Sequence, residues 1–577
     1  MEKEALRKLI QVAAGKVAAD LVIKNCNLID VYNCRVIPGM DIAISDEWIA
    51  GIGEYQGRRE IDARGKYAAP GLMDAHIHIE SAYVTPEEFG RLVVPHGTTT
   101  VIADPHEIVN VCGMDGLNYM KEASKLTKLD IKFMIPSCVP ATPFEHAGAD
   151  IDSGIIKEVI HDEDILGLGE LMNYPGVITA EEEVVNKLIL AWKENKIVDG
   201  HCPNLSGKEL DAYIATRIHT DHECTSVDEM LDRLSRGMYV QLREGSACHD
   251  LRTLAKGVTM HNSRRCLLCS DDRQIKTILE HGHMEHHLRI CVEEGIHPLV
   301  AIQMASLNVA ECYHLYDRGA IAPGLRADIV LFEDLAKFRV DQVFLMGEEV
   351  ACQGKYLPTE SKYPIDQVFG RFQVKDFSIE KLRMKLSSNY VNVMDILPAG
   401  VLTAKKTAKV VCNDQGEFVF DPSLDIAKIA VIERHQNTGN VALALLGGYG
   451  IQLGAIAISI AHDSHNIISV GTCDEDIAFA VKELIAQNGG IILVQGGKIV
   501  NTMPMVVGGI MSDKPGEWIN EKLKQIHEDA HDKLGISREV DPIMTLSFMA
   551  LAVIPELKLT DIGLFDVTSY SFIDLEV

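Results

Sequence analysis

The sequence predicts an α/β chain organised around a closed (β/α)8 TIM-like barrel. A small β-sandwich built from both flanks of the barrel and an additional C-terminal α/β or α+β domain complete it. Three observations carry this expectation. Between about Lys66 and Gly319, eight apolar runs that each end in a polar cluster alternate with helical patterns, about the length of one such barrel. Short β segments before that region have a counterpart far downstream, at Ala327–Phe332 and Val340–Leu345. Finally, 577 residues exceed what one hydrophobic core accommodates, so two or three domains are expected.

The elements follow in order. Leu6, Ile10 and Ala13 fall at helical spacing in an N-terminal stretch of mixed charge that lacks the long apolar region of a signal peptide. From Asp20 to Ile61, short strands are separated by turn residues at Pro38-Gly39 and Ser45-Asp46. Residues 1–65 with 320–370 are therefore assigned to the sandwich, and 66–319 to the barrel. The eight runs end at His78, Asp104, Ser137, Glu170, His201, His222, Arg243 and Asp271. Helical patterns occur between or after them at Glu181–Asn195, Ser226–Arg236 and Met284–Glu294. Beyond the connection Gly354–Asp366, residues 371–577 form a further module. Its strand-like runs lie at Ala427–Ile432 and Ile491–Val494, and its helices at Asp474–Gln487 and Gly516–Leu534.

Composition narrows the classes. The apolar fraction is 47% and the charged fraction 24%, ordinary for a globular enzyme. A net charge of −28 repels phosphate backbones and anionic lipid, so the expected partner is a small molecule, with neither nucleic acid nor membrane. No uncharged apolar run reaches membrane-spanning length. The 14 Cys are scattered, and the lone CxxC at Cys266–Cys269 has no second pair, so free buried thiols and a cytoplasmic location are expected.

Chemistry concentrates at the strand ends. His76 and His78 are two apart, so on a strand both imidazoles share one face while Ile77 points away. Reading on gives Glu170, His201, His222 and Asp271, each at a strand C-terminus, where this fold keeps its active sites. Four imidazoles and two carboxylates suit Zn, Fe, Mn or Co, and six ligands suffice for two ions bridged by a carboxylate.

This order resembles the amidohydrolase superfamily, as does the return stretch Ala305–Ala310 with Gly319–Val330. Val309 departs from the Pro commoner there, at a helix entry away from the chemistry. Within the superfamily, the stretches Ala103–Asn110, Gly167–Gly176, Thr220–Glu223 and Leu242–Ser246 are similar to the bacterial and archaeal adenine deaminase family. So are Ser459–Asn466, Gly508–Asp513 and Val553–Thr560 in the C-terminal module. Many superfamily members carry a carboxylated Lys bridge; Glu170 stands here.

The resemblance implies purine salvage by hydrolysis of adenine to hypoxanthine and ammonia, a metal-bridged hydroxide attacking C6. It implies two divalent ions, Mn(II) or Fe(II), with Zn(II) also suiting the ligands, and a homo-oligomer of two or more chains. One ion falls to His76, His78, Glu170 and Asp271, the other to Glu170, His201 and His222. Asp271 is the candidate proton shuttle, with Asp272 adjacent; the superfamily's usual order favours Asp271 as the one facing the metals. Glu107 and His106 are candidates to meet a purine ring nitrogen, with Glu107 counted among the catalytic residues alongside Glu170. Arg243, Glu244, Ser246 and Asp272 are candidate substrate contacts. His462 and His465 either cap the barrel mouth, bind another ion, or make a surface or interdomain hydrogen bond. The run His281–His287 reads as a helix start near the mouth. A rival amidohydrolase opening a cyclic amide, hydantoinase- or dihydropyrimidinase-like, would release no ammonia. A scaffold that has lost its metals would lack ligands, and none of the six is missing.

Overall fold

In the computed structural model, residues 2–359, 361–398 and 400–577 are described. Eight parallel strands build the barrel: β1 (Leu72–His78), β2 (Thr98–Ala103), β3 (Asp130–Ile135), β4 (Ile165–Leu171), β5 (Ile197–Gly200), β6 (Thr220–Asp221), β7 (Tyr239–Arg243) and β8 (Cys266–Cys269). Ladders join β1 through β5, and others join β6 to β7 and β7 to β8. The His219 N–H donates to the Val198 carbonyl (2.9 Å), linking β5 to β6. Asp271–Asp272, continuing from β8, pair with Ile77–His78 of β1, so the strands run round in a TIM-like ring. Each strand is short and almost wholly buried, as parallel strands covered by helices must be.

The flanks are joined by one antiparallel pairing, Tyr67–Pro70 against Ile329–Phe332. Around it forms a single nine-stranded sheet, from residues 19–70 and 329–356. Here the turn expected at Pro38-Gly39 is absent: Arg35–Ser45 is one strand paired with Ala19–Asp30. Register shifts around Cys26 and Met40, with Gly39 at φ +67°, take up the irregularity as a bulge, which is where a strand tolerates Pro and Gly. The turn at Ser45-Asp46 does form, with Asp46 at φ +51°.

The C-terminal region holds an eight-stranded sheet, antiparallel except where Tyr390–Ile396 meets Val441–Gly447. Strand alternation divides its side chains. Ala430 and Ile432 pack with Ile477, Val481 and Leu484 of helix Asp474–Ala486, while Ile429 and Val431 join the core shared with the barrel. Each such Ile or Val contributes roughly 1.5–3 kcal/mol by leaving water. Direct bonds tie this region to the barrel: the Ser512 N–H to the Tyr83 carbonyl (2.9 Å), the Gly516 N–H to Glu88 Oε1 (2.7 Å) and the Asn466 amide to the His146 carbonyl (2.8 Å). No described helix is long and apolar enough to cross a membrane.

Candidate metal centre and active site

The six side chains spread over 196 residues of sequence converge at the C-terminal end of the barrel strands. His76 and His78 alternate with Ile77, which sits in the core, and bring their Nε2 atoms to 3.2 Å. Glu170 at the end of β4 reaches both sides of the cluster: Oε1 lies 3.3 Å from His78 Nε2, and Oε2 lies 2.7 Å from His201 Nδ1 and 3.3 Å from His222 Nε2. Asp271 Oδ1 closes the ring 3.1 Å from His78 Nε2. The groups His76/His78/Glu170, His76/His222/Asp271 and Glu170/His201/His222 each bring three ligand atoms within 4.8 Å of one another.

Local backbone explains these placements. Asp271 has φ +55°, a left-handed conformation that Asp tolerates better than most residues and that functional sites hold at some cost. The kink separates it from its neighbour: Asp271 joins the imidazoles, while Asp272 accepts from the Ser81 hydroxyl and borders the adjoining pocket. Beneath Glu170, the Asp104 carboxylate accepts its N–H (2.9 Å). A Cβ on Gly169 would fall on that carboxylate, so only glycine permits the approach.

The cluster fits divalent ions. His78 Nδ1 lies 2.9 Å from the Asp104 carbonyl and donates to it, which fixes the ring and turns Nε2 to the cluster. Burial, reinforced by His222 and His78, holds His76 well below the usual imidazole range, and so neutral. Burial opposes ionisation of Glu170, but the hydrogen bonds from His201, His222 and His78 win and hold it well below the usual carboxylate range. Carboxylates and imidazole nitrogens converging in one desolvated cluster form a donor set that suits a cation.

Other candidate residues take distinct places. His106, its ring tilted 57° to that of His78 at 4.3 Å between centroids, lies 3.5 Å from Glu170 Oε1 through Nδ1 and 3.5 Å from Glu107 Oε1 through Nε2. Glu107, in the first turn of helix His106–Cys112, receives His462 Nδ1 (2.6 Å) on one oxygen and His465 Nε2 on the other. A pocket beside the cluster is lined by Glu80, Ser81, Tyr83, Glu107, Ser246, Asp272 and Gln274 from the barrel, and by Ile460, His462, His465, Ile510, Met544, Ser547 and Phe548 from the C-terminal region.

Arg243 and Glu244 are not in that lining. The Arg243 guanidinium is taken up by three carboxylates: Asp271 (3.0 Å), Asp250 (3.1 Å) and Glu223. It therefore orients Asp271 rather than reaching outward. Glu244 bonds His249 (2.8 Å) behind the loop. Ser246 does line the pocket, accepting from the Gln274 N–H (2.9 Å). The His281–His287 run does start a helix, Met284–Glu293, but His283 lies behind the cluster, against Thr98 (2.8 Å) and Asp74 (3.4 Å). Asp104, Glu80, Ser81, Tyr83, Gln274 and Phe548 were not singled out from the sequence. Only Asp104 carried a signal, its position at the end of a strand beside Pro105-His106-Glu107.

A parallel-stranded barrel with a His/Glu/Asp cluster at its C-terminal mouth defines the amidohydrolase class of metal-dependent hydrolases. Residues 67–350 match the amidohydrolase family, and residues 400–571 match the adenine deaminase C-terminal domain. Over the full length of both chains, the sequence is 59% identical to adenine deaminase 2 of Desulfotalea psychrophila and 50% identical to adenine deaminase of Ligilactobacillus salivarius. It is 45% identical to adenine deaminase of Clostridium acetobutylicum, over 98% of this chain and all of that one. The chain belongs to the adenine deaminase family.

Proposed function

We infer that the chain hydrolyses adenine to hypoxanthine and ammonia in the pocket between the barrel mouth and the C-terminal region. The full-length likeness to adenine deaminases carries this reading, and the converging cluster supports it. When bound, a pair of divalent ions acidifies water and makes hydroxide available near neutral pH. His76, His78, Asp271 and Glu170 are assigned to one ion and Glu170, His201 and His222 to the other, with Mn(II) or Fe(II) preferred and Zn(II) compatible.

The chain's own groups then manage protons and position. Asp271 accepts a proton from the attacking water and delivers it to the leaving amine, held in place by Arg243. Addition at C6 drives electron density onto the ring, and Glu107, on the pocket wall, is the group assigned to meet a ring nitrogen there. Ser81, Ser246, Asp272 and Gln274 supply polar edges and Phe548 an apolar face. In this division of labour, 66–319 is the catalytic barrel, 1–65 with 320–370 the supporting β domain, and 371–577 the domain that closes the pocket. Fourteen free cysteines support a reducing, cytoplasmic setting, and the family likeness supports a homo-oligomer.

The test is ammonia release and the ultraviolet change on mixing metal-loaded protein with adenine, with adenosine and dihydrouracil as parallel substrates. Ammonia from adenine that disappears in His78→Ala is expected. Ring opening of dihydrouracil without ammonia from adenine would replace the deaminase reading with a cyclic amidase.

A further inference from the structure

We propose that His462 stores the proton that Glu107 delivers to the purine ring, so that the C-terminal domain supplies the acid half of the reaction. The proposal rests on the reading above that Glu107 meets a ring nitrogen.

The geometry distinguishes the two imidazoles on Glu107. The Ala461 N–H donates to His465 Nδ1 (3.2 Å), so Nδ1 carries the lone pair and Nε2 the hydrogen. His465 is thus a neutral donor to Glu107 Oε2, and burial holds it down at about 4 despite the carboxylate. Among the described residues, no equivalent bond fixes His462. Its Nδ1 lies 2.6 Å from Glu107 Oε1, and its ring stacks 4.7 Å from Phe548. Burial pulls His462 down, but Glu107, Asp272 and Asp463 outweigh it and raise it to about 9. Near neutral pH the pair therefore holds one mobile proton, on His462 Nδ1, facing an ionised carboxylate.

The surrounding groups reinforce this arrangement. Arg434, fully buried, donates to the carbonyls of His465 and Gly508 and fixes the loop. His106 approaches Glu107 to 3.5 Å from the barrel side, and Asp463 adds a second buried carboxyl. Glu80 and Tyr83 also feel the charge of Glu107, and burial with that charge raises Glu80 to about 7. A cation held by Glu107, His462 and His465 would need the Nε2 lone pair of His465, which the Ala461 N–H bond excludes.

The step balances. As hydroxide adds at C6, the N–H bond of His462 breaks and an O–H bond forms on Glu107; that bond breaks as the ring nitrogen takes the proton and the ring accepts the electron pair. Water contributes two protons overall. One reaches ammonia through Asp271, and the other goes to solvent, from which His462 is recharged.

The experiment is the pH profile of kcat and kcat/KM for adenine with the metal-loaded enzyme, His462→Gln and His465→Gln, with metal content measured for each. Gln keeps an N–H for Glu107 but does not titrate. His462→Gln is expected to retain two metal equivalents, lose on the order of 10²-fold in kcat and move the basic limb to lower pH by at least about one unit. His465→Gln should keep the wild-type limb. An unmoved limb in His462→Gln would reduce His462 to a structural contact and overturn the proposal. So would a third metal equivalent that this variant removes. If His462→Gln does not fold, ¹⁵N-histidine spectra of the zinc-loaded wild type decide: an imidazolium His462 at pH 7 beside an Nε2–H His465 supports it, and a neutral His462 overturns it. A wild type without activity on adenine removes the premise, a failure distinguishable from an unmoved limb.

Discussion

The two histidine–carboxylate clusters at the barrel mouth use the same residue types for opposite ends. Around Glu170, four imidazoles and two carboxylates converge: His78 turns Nδ1 to the Asp104 carbonyl and Nε2 inward, and His76 is held neutral. Around Glu107, imidazole protons converge, because the Ala461 amide has taken the His465 lone pair. The first arrangement suits a cation; in the second the histidine protons already face the carboxylate. Which ring nitrogen faces inward decides the chemistry, and a main-chain group one hydrogen bond away decides the nitrogen.

Substitutions should separate the two clusters, the largest effects coming first. Glu170→Gln removes the carboxylate shared by both sides of the metal cluster and should cost on the order of 10³-fold or more in kcat, with metal lost on dialysis. Retained metal and activity would break the comparison. Glu107→Gln should cost about 10²–10⁴-fold in kcat with full metal content, because it removes proton transfer only. Loss of metal there would mean that the two clusters are one.

Arg243→Lys keeps the charge and loses the fork that holds Asp271, Asp250 and Glu223 together, so a loss of about 10²-fold is expected from misplacement. Were Arg243 a purine contact instead, KM would rise with kcat unchanged. A control lies outside both clusters. Asp130 bridges Arg318 and Arg326 (2.5 Å each). Burial opposes its charge, but the two guanidiniums prevail and hold it below the usual carboxylate range. The stability it provides is therefore present above about pH 4 and lost as pH falls through its folded pKa. Asp130→Asn should lower stability by about 2 kcal/mol near neutral pH, read as a lower Tm, with the difference narrowing in acid. The kcat of the folded variant should not change.

How far the sequence revealed these clusters follows from their physics. The cluster around Glu170 was legible because barrel strands deliver their C-terminal residues to one mouth, so six chemically matched residues at strand ends point to one place. The pincer on Glu107 was legible only in part: His462 and His465 stood out as mouth-capping or interdomain hydrogen-bond residues, but with Glu107 355 residues from His462 nothing local named their partner. Arg243 illustrates the limit in the other direction. Its strand end was correct, but its charge is consumed by neighbours that only the fold brings together. Pro38-Gly39 marked a turn by composition, whereas the pairing of Ala19–Asp30 with Arg35–Ser45 absorbed it as a bulge.

The most direct test of the account is to strip the protein of metal and titrate Mn(II) back while following adenine hydrolysis. No ammonia is expected from the stripped chain, then a rise that levels off at two equivalents per chain, with Glu170→Gln failing to recover. Full activity in the stripped chain, or none with two ions bound, would contradict it.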